Sequence, residues 1–172
     1  MRLFIAINFT AATTARLRAL RDELSAHSVR GSFSRDKNLH LTLVFLGECD
    51  RQQCRTVEAA MNRANFTPFD VTIEQLGRFR RRDGSIWWAG VKESAPLLKL
   101  QHDLCARLIA AGFDLDTHDY RPHITLGRRV VTKAVPRPLE PFGERVERID
   151  LMRSEQIDKV LTYSSIYQTP AL

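Results

Sequence analysis

The chain has little with which to staple itself or to enter a membrane. Its three cysteines, Cys49, Cys54 and Cys105, are odd in number and form no CxxC pair, so neither a disulfide framework nor paired zinc knuckles are expected. A reducing cytoplasmic setting suits such a chain. The longest early apolar run, Leu3-Phe4-Ile5-Ala6-Ile7, is broken after five residues by Asn8, which reads as a first core strand and not as a signal or a membrane span. The HExxH pattern of zinc hydrolases, the P-loop, GxGxxG and GxSxG are all missing. Metal-dependent hydrolysis, nucleoside-triphosphate hydrolysis, dinucleotide redox and serine-esterase chemistry therefore lack their usual residues, and no cofactor or metal is expected.

What is present is a chain of 172 residues, 44% hydrophobic, long enough to bury a core as one domain or as two small packed lobes. Lys and Arg number 26 against 20 Asp and Glu, a formal charge of +6 with a sequence pI near 9.6. That balance favours a polyanionic partner such as nucleic acid.

The spacing of apolar residues predicts the elements. A strand over Leu3–Ile7 is followed by a helix from Ala11 to Ala26, with Leu17, Leu20 and Leu24 on one face. A polar loop from Ser28 to Lys37 leads to a strand over Leu39–Leu46. Asp50 can cap a helix reaching Ala64, and a strand from Pro68 to Leu76 meets Ile86–Val91 through an Asp83-Gly84 turn. Pro96 can open a helix striped by Leu97, Leu100, Leu104 and Leu108, with Gly112 closing it. Another strand follows Pro122, residues 136 to 141 read as a Pro-punctuated connection, and two late strands lie near Val146–Met152 and Val160–Tyr167.

Two of these strands carry the same pattern, His40-Leu41-Thr42-Leu43 and His123-Ile124-Thr125-Leu126. Alternation along a strand sends each histidine and the threonine two residues on to one face, and the intervening Leu41 or Ile124 to the other. The histidines are 83 positions apart, and the same offset carries Leu3-Phe4-Ile5-Ala6 onto Ile86-Trp87-Trp88-Ala89 and Leu17 onto Leu100. Both halves thus read strand, helix, His-X-Thr strand. The expected fold is α+β, a bilobal pseudo-twofold arrangement of two mainly antiparallel sheets flanked by helices, with a central cleft between lobes.

A lone histidine in an apolar strand is more often structural than catalytic, but two in matching contexts point to paired proton transfer. One imidazolium can donate to a leaving oxygen while a neutral imidazole takes a proton from the attacking group, as in-line displacement at phosphorus requires. Thr42 and Thr125 can hydrogen-bond the non-bridging oxygens, and Arg128 can neutralise their charge. Arg128 lies five residues after His123, an odd spacing that needs a bulge or strand end near Gly127 to face the cleft. Arg78-Phe79-Arg80-Arg81-Arg82 can contact nucleic-acid phosphates, with Phe79 stacking on a base, or can form a solvated hairpin tip. Tyr120 can stack on a nucleotide or cover the lobe interface, His118 and Asp119 fit a polar turn, and His27 and His102 read as surface residues.

The chain resembles the 2H phosphoesterases with paired HXTX motifs, and among them the bacterial RNA 2',3'-cyclic phosphodiesterases also called 2'-5' RNA ligases. The likeness rests on Arg2-Leu3-Phe4-Ile5-Ala6-Ile7, on Asn38 to Glu48, on Trp88-Ala89-Gly90-Val91 and on Arg121-Pro122-His123-Ile124-Thr125-Leu126-Gly127-Arg128. The resemblance implies a single metal-independent domain over residues 1–172 made of two intertwined lobes. It implies His40 as proton donor to the departing 3' oxygen, His123 as acceptor from water, and Thr42, Thr125 and Arg128 as phosphate ligands. The implied reaction opens a terminal 2',3'-cyclic phosphate to a 2'-phosphomonoester. The expected partners are RNA with such ends or small cyclic nucleotides, met by a monomer with no membrane attachment. The alternatives are 2'-5' joining of tRNA halves and a nucleotide- or RNA-binding module without catalysis. The chain departs from the family at Phe33, where a tryptophan is often found, and in the tail beyond Met152.

Overall fold

The computed structural model describes Met1–Leu172 as nine strands and three helices. The strands are β1 (Arg2–Asn8), β2 (Ser28–Phe33), β3 (His40–Glu48), β4 (Phe69–Phe79), β5 (Ser85–Val91), β6 (His123–Thr132), β7 (Arg137–Val146), β8 (Arg148–Ile157) and β9 (Val160–Pro170). The helices are α1 (Ala11–Ala26), α2 (Arg51–Arg63) and α3 (Ala95–Ala110). The α+β bilobal expectation holds, with one sheet ordered β3-β1-β8-β9, the other β2-β6-β5-β4-β7, and every strand pair antiparallel.

The helices form for the reasons visible in their sequences. Asp50 and Gln53 close a reciprocal capping box on α2, and Ser94 caps α3 ahead of Pro96 in its first turn. Leu17, Leu20 and Leu24 of α1 and Leu97, Leu100, Leu104 and Leu108 of α3 are buried against the sheets. One cluster of 34 buried residues draws on both sheets and all three helices, and within it Leu41 and Ile124 are fully buried. The central residue of each His-X-Thr thus anchors its strand from the core side.

Two segments expected to be irregular are strands. Residues 28–33 form β2, an edge strand whose polar, Gly31-containing sequence shows no alternation because it buries little beyond Phe33 and is held mainly by the ladder to β6. Residues 137–146 form β7 despite Pro138 and Pro141, since β7 is the opposite edge of the same sheet and the prolines fall where its register with β4 shifts. The chain therefore exchanges strands between lobes. β2 leaves the first half to flank β6, while β8 and β9 return from the C-terminal half to complete the sheet of β1 and β3.

The register of the repeat also needs a correction. Ala6 lies opposite Thr42, and Trp88 opposite Thr125, so β1 and β5 correspond with one residue less than the offset of 83. Phe4 consequently faces the cleft beside Ala6 and Met152, whereas Trp87 is fully buried in the main core. A slip of one residue reverses the face, which is why strand alternation detects it and sequence offset does not.

Candidate active site

His40 and His123 stand at the first positions of β3 and β6, each half-buried, and each ring is held in the same way. His40 Nδ1 lies 2.6 Å from the carbonyl oxygen of Asn38, and His123 Nδ1 lies 2.6 Å from that of Arg121. A carbonyl can only accept, so Nδ1 carries the proton in both rings and Nε2 is left for chemistry. His40 Nε2 meets the Thr42 hydroxyl at 2.7 Å, while His123 Nε2 has no hydrogen-bond partner in the protein.

Aromatic rings wall both imidazoles. Phe4 lies 4.9 Å and Tyr163 5.3 Å from His40, centroid to centroid, the latter edge-on at 84°. Phe79 lies 5.2 Å from His123 at 87°, with Trp88 at 6.1 Å. Trp88 can lie flat because Gly77 has no side chain, since a Cβ there would fall 2.2 Å from the indole. Phe79 is therefore half-buried in the His123 wall and not part of a solvated hairpin tip, with the Arg81 guanidinium 5.8 Å over its ring.

The bulge required by Arg128 is present. Trp87 pairs with Gly127 and Trp88 with Thr125, so Leu126 is the unpaired extra residue, and Leu126 and Gly127 both turn inward. Arg128 then emerges on the face of His123 and Thr125. The same irregularity occurs in β3, where Ile5 pairs with Val44 and Ala6 with Thr42, leaving Leu43 as the extra residue. Phe45 emerges there as the counterpart of Arg128, 66% exposed and 6.1 Å from the Phe4 ring.

Burial is the largest influence on both histidines and pushes each below the ordinary value of 6.5. The hydrogen bonds to Asn38 and Arg121 oppose the shift, and the positive charge of Arg128 reinforces it at both rings. The same charge acts on Tyr163, whose hydroxyl is pushed up chiefly by burial. Arg128 thus exerts its field across the cleft on both lobes, and it has no carboxylate partner of its own.

Tyr120 covers the lobe interface and does not offer a stacking face. Its hydroxyl donates to the Thr42 carbonyl oxygen at 2.7 Å, and burial drives its pKa strongly upward. Phe33 turns away from the cleft, its ring meeting Gly31, Gly127 and Val130 beside the main core. His118 pairs with Asp116 in an exposed turn, and His27 and His102 are exposed. No group of three or more His, Cys, Asp or Glu side chains is placed to hold a metal ion. Sequence reading missed Phe4, Phe45 and Tyr163. Phe45 is found by adding 83 to reach Arg128, whereas Tyr163 arrives through the β8–β9 pairing and leaves no local signal.

Residues 9–158 match the family described as the 2'-5' RNA ligase superfamily. A Thermotoga maritima protein named RNA 2',3'-cyclic phosphodiesterase is 31% identical over 169 residues, 96% of this chain and 87% of that protein. One of the same name from Aeropyrum pernix is 30% identical over 167 residues, covering 91% and 95% of the two chains. Among solved structures, a Thermus thermophilus protein superposes with a TM-score of 0.86 at 25% identity, covering 99% of this chain and 97% of that one. Escherichia coli LigT, crystallised with 3'-AMP, has the same fold, with a TM-score of 0.85 at 22% identity over 99% and 97% of the chains. With two His-X-Thr strands facing one cleft and a match over most of its length, the chain belongs to the 2'-5' RNA ligase superfamily and so to the 2H phosphoesterases.

Proposed function

We propose that this protein is an RNA 2',3'-cyclic phosphodiesterase that opens terminal cyclic phosphates to 2'-phosphomonoesters by metal-independent acid–base catalysis, residues 1–172 acting as one domain. The observation that carries this reading is the paired orientation of His40 and His123, each fixed through Nδ1 to a carbonyl two residues upstream with Nε2 left for proton transfer. The names of the relatives at about 30% identity agree with it.

In this reading the cyclic phosphate lies between the lobes, its non-bridging oxygens held by Arg128, Thr42 and Thr125. His123 takes a proton from water as the water oxygen bonds to phosphorus. The bond from phosphorus to the 3' oxygen breaks, and His40 gives that oxygen its proton. This polarity is the one the family resemblance implies, and the exposed ring of Phe45 on the His40 side offers a stacking face to a base. With a 5'-hydroxyl in place of water the same groups would form a 2'-5' bond, the reaction named in the family's description.

The test is turnover of an oligoribonucleotide ending in 2',3'-cyclic phosphate, with chelator present, by wild type, His40→Ala and His123→Ala. Loss of the 2'-phosphate product in both variants is expected. Full turnover in either would overturn the paired mechanism, and product length separates hydrolysis from joining.

A further inference from the structure

Next to Arg128, where β6 meets β2 and the turn between β4 and β5, lies an open cavity of about 400 Å³ lined by Arg30, Gly31, Ser32, Asp83 and Arg129, with no hydrophobic residue among them. Three separate segments build it, namely β2, the irregular part of β6 and the turn between β4 and β5. Ser32 pairs directly with Arg128, and opposed residues of neighbouring strands project to one face, so the cavity adjoins the phosphate-facing arginine.

The walls are fixed by the backbone. Arg129 has a φ of 52°, a left-handed conformation seldom adopted by a side-chain-bearing residue, and Gly84 packs against it with a φ of 120°. A Cβ on Gly84 would lie 2.6 Å from the Arg129 carbonyl carbon, so the turn seats directly on this backbone. The Arg129 guanidinium reaches the Ser32 hydroxyl at 3.4 Å. Neither Arg30 nor Arg129 forms an ion pair, although Asp83 lines the same cavity, and Asp83 is unpaired as well.

Two unpaired guanidiniums suit a phosphodiester, and a free carboxylate suits a hydroxyl donor between them. With no aromatic or aliphatic side chain in the lining, contacts to a ribose-phosphate suit this site better than burial of a base. We propose that this cavity is a second RNA subsite, which takes the ribose-phosphate of a nucleotide upstream of the cyclic end. Arg30 and Arg129 bind its phosphate, and Asp83 accepts a hydrogen bond from its ribose 2'-hydroxyl, the group that distinguishes RNA from DNA. The inference rests on the cyclic phosphodiesterase reading, since it assumes that the chain end lies at Arg128.

The experiment compares a 2',3'-cyclic mononucleotide with a pentaribonucleotide bearing the same end. It adds anisotropy binding of a labelled pentamer ending in 2'-phosphate. Arg30→Glu and Arg129→Gln are expected to raise KM and Kd for the pentamer about tenfold and to lower the salt slope of binding by about one. The mononucleotide KM should stay within about twofold, because such a substrate has no second phosphate to lose. Asp83→Leu, which removes the acceptor, should reduce the preference of the site for an all-RNA pentamer over one whose upstream nucleotides are 2'-deoxy. Arg30 is on an exposed edge strand, so its variant tests the site even where Arg129→Gln disturbs the bulge. Equal effects on mononucleotide and pentamer, or none on either, would overturn the subsite while leaving the catalytic reading intact. A wild-type protein that turns over neither substrate would overturn the catalytic reading, whereas anisotropy would still report on the cavity.

Discussion

The two lobes share a backbone device and differ in the side chains set around it. In each, a histidine opens a strand, donates Nδ1–H to the carbonyl two residues earlier, and is followed by an extra residue three positions on that brings the fifth residue onto the cleft face. That fifth residue is Phe45 in one lobe and Arg128 in the other. Likewise, His40 Nε2 is engaged by the Thr42 hydroxyl and His123 Nε2 is free. A symmetric pair of imidazoles has no direction. The unshared residues distinguish the two sides, with an apolar face beside His40 and a cation beside His123.

The strongest way to break this comparison is to remove one imidazole at a time. His40→Ala and His123→Ala should each lower kcat/KM by roughly 10²–10⁴-fold, the usual value of a positioned acid or base. The double variant should be little worse than either single one, because the two transfers belong to one displacement. Unequal losses would sharpen the asymmetry. A full multiplication of the two losses would show that the histidines act independently.

Arg128→Gln comes next, with an expected fall of roughly 10²–10³-fold in kcat, the scale of losing one donor to developing charge. It carries a pH signature as well. The free enzyme must hold one histidine protonated and one neutral, and both are held below 6.5, so the kcat/KM profile should be bell-shaped with its alkaline limb below pH 6.5. Bound phosphate is anionic and favours the imidazolium, so the limb in kcat should lie at higher pH. Removing the Arg128 cation raises both histidines in the free enzyme and moves the kcat/KM limb upward. A limb that stays or moves down on Arg128→Gln would place the guanidinium outside the cleft.

Most of the site's skeleton could be read from the sequence because strand alternation is local. His40, Thr42, His123 and Thr125 follow from it directly, and the leucine stripes give α1 and α3 at their observed limits to within a residue. Arg128 illustrates the boundary of such reading. Its odd spacing demanded a bulge, and only the pairing of β5 with β6 shows that Leu126 supplies it. Tyr163 lay beyond reach for a different reason. Its place beside His40 depends on β8 returning to β1 across more than a hundred residues, and no local periodicity encodes that pairing. Edge strands fail similarly, since β2 buries little and β7 tolerates proline.

The threonines give a smaller effect with a clear difference between lobes. Thr125→Val should raise KM about tenfold through a lost phosphate contact, with the kcat/KM limb unchanged. Thr42→Val removes a hydroxyl that also touches His40 Nε2, so it should change both KM and the position of the limb. Identical pH profiles for the two variants would mean that the Thr42 contact does not persist in the working enzyme.

The smallest expected effect tests what joins the lobes. Tyr120 lies three residues before His123 and donates to the carbonyl of Thr42, the residue whose hydroxyl meets His40. It therefore ties the approach to one motif to the middle of the other. Tyr120→Phe keeps the ring and deletes a hydrogen bond whose net worth is about 1 kcal/mol, which for a chain of this length corresponds to a fall in Tm of roughly 2–4 °C. If the bond only stabilises the fold, kcat at a temperature well below Tm will match wild type. If it holds the two imidazoles at their working separation, kcat should fall by roughly fivefold with KM unchanged, because misplaced donors cost rate before they cost binding. Tyr120→Leu, which also removes the ring, should add a larger loss of stability. A Tyr120→Phe protein with lowered Tm and wild-type kcat would make the tyrosine part of the packing between lobes and leave their spacing to the shared core around Leu41 and Ile124.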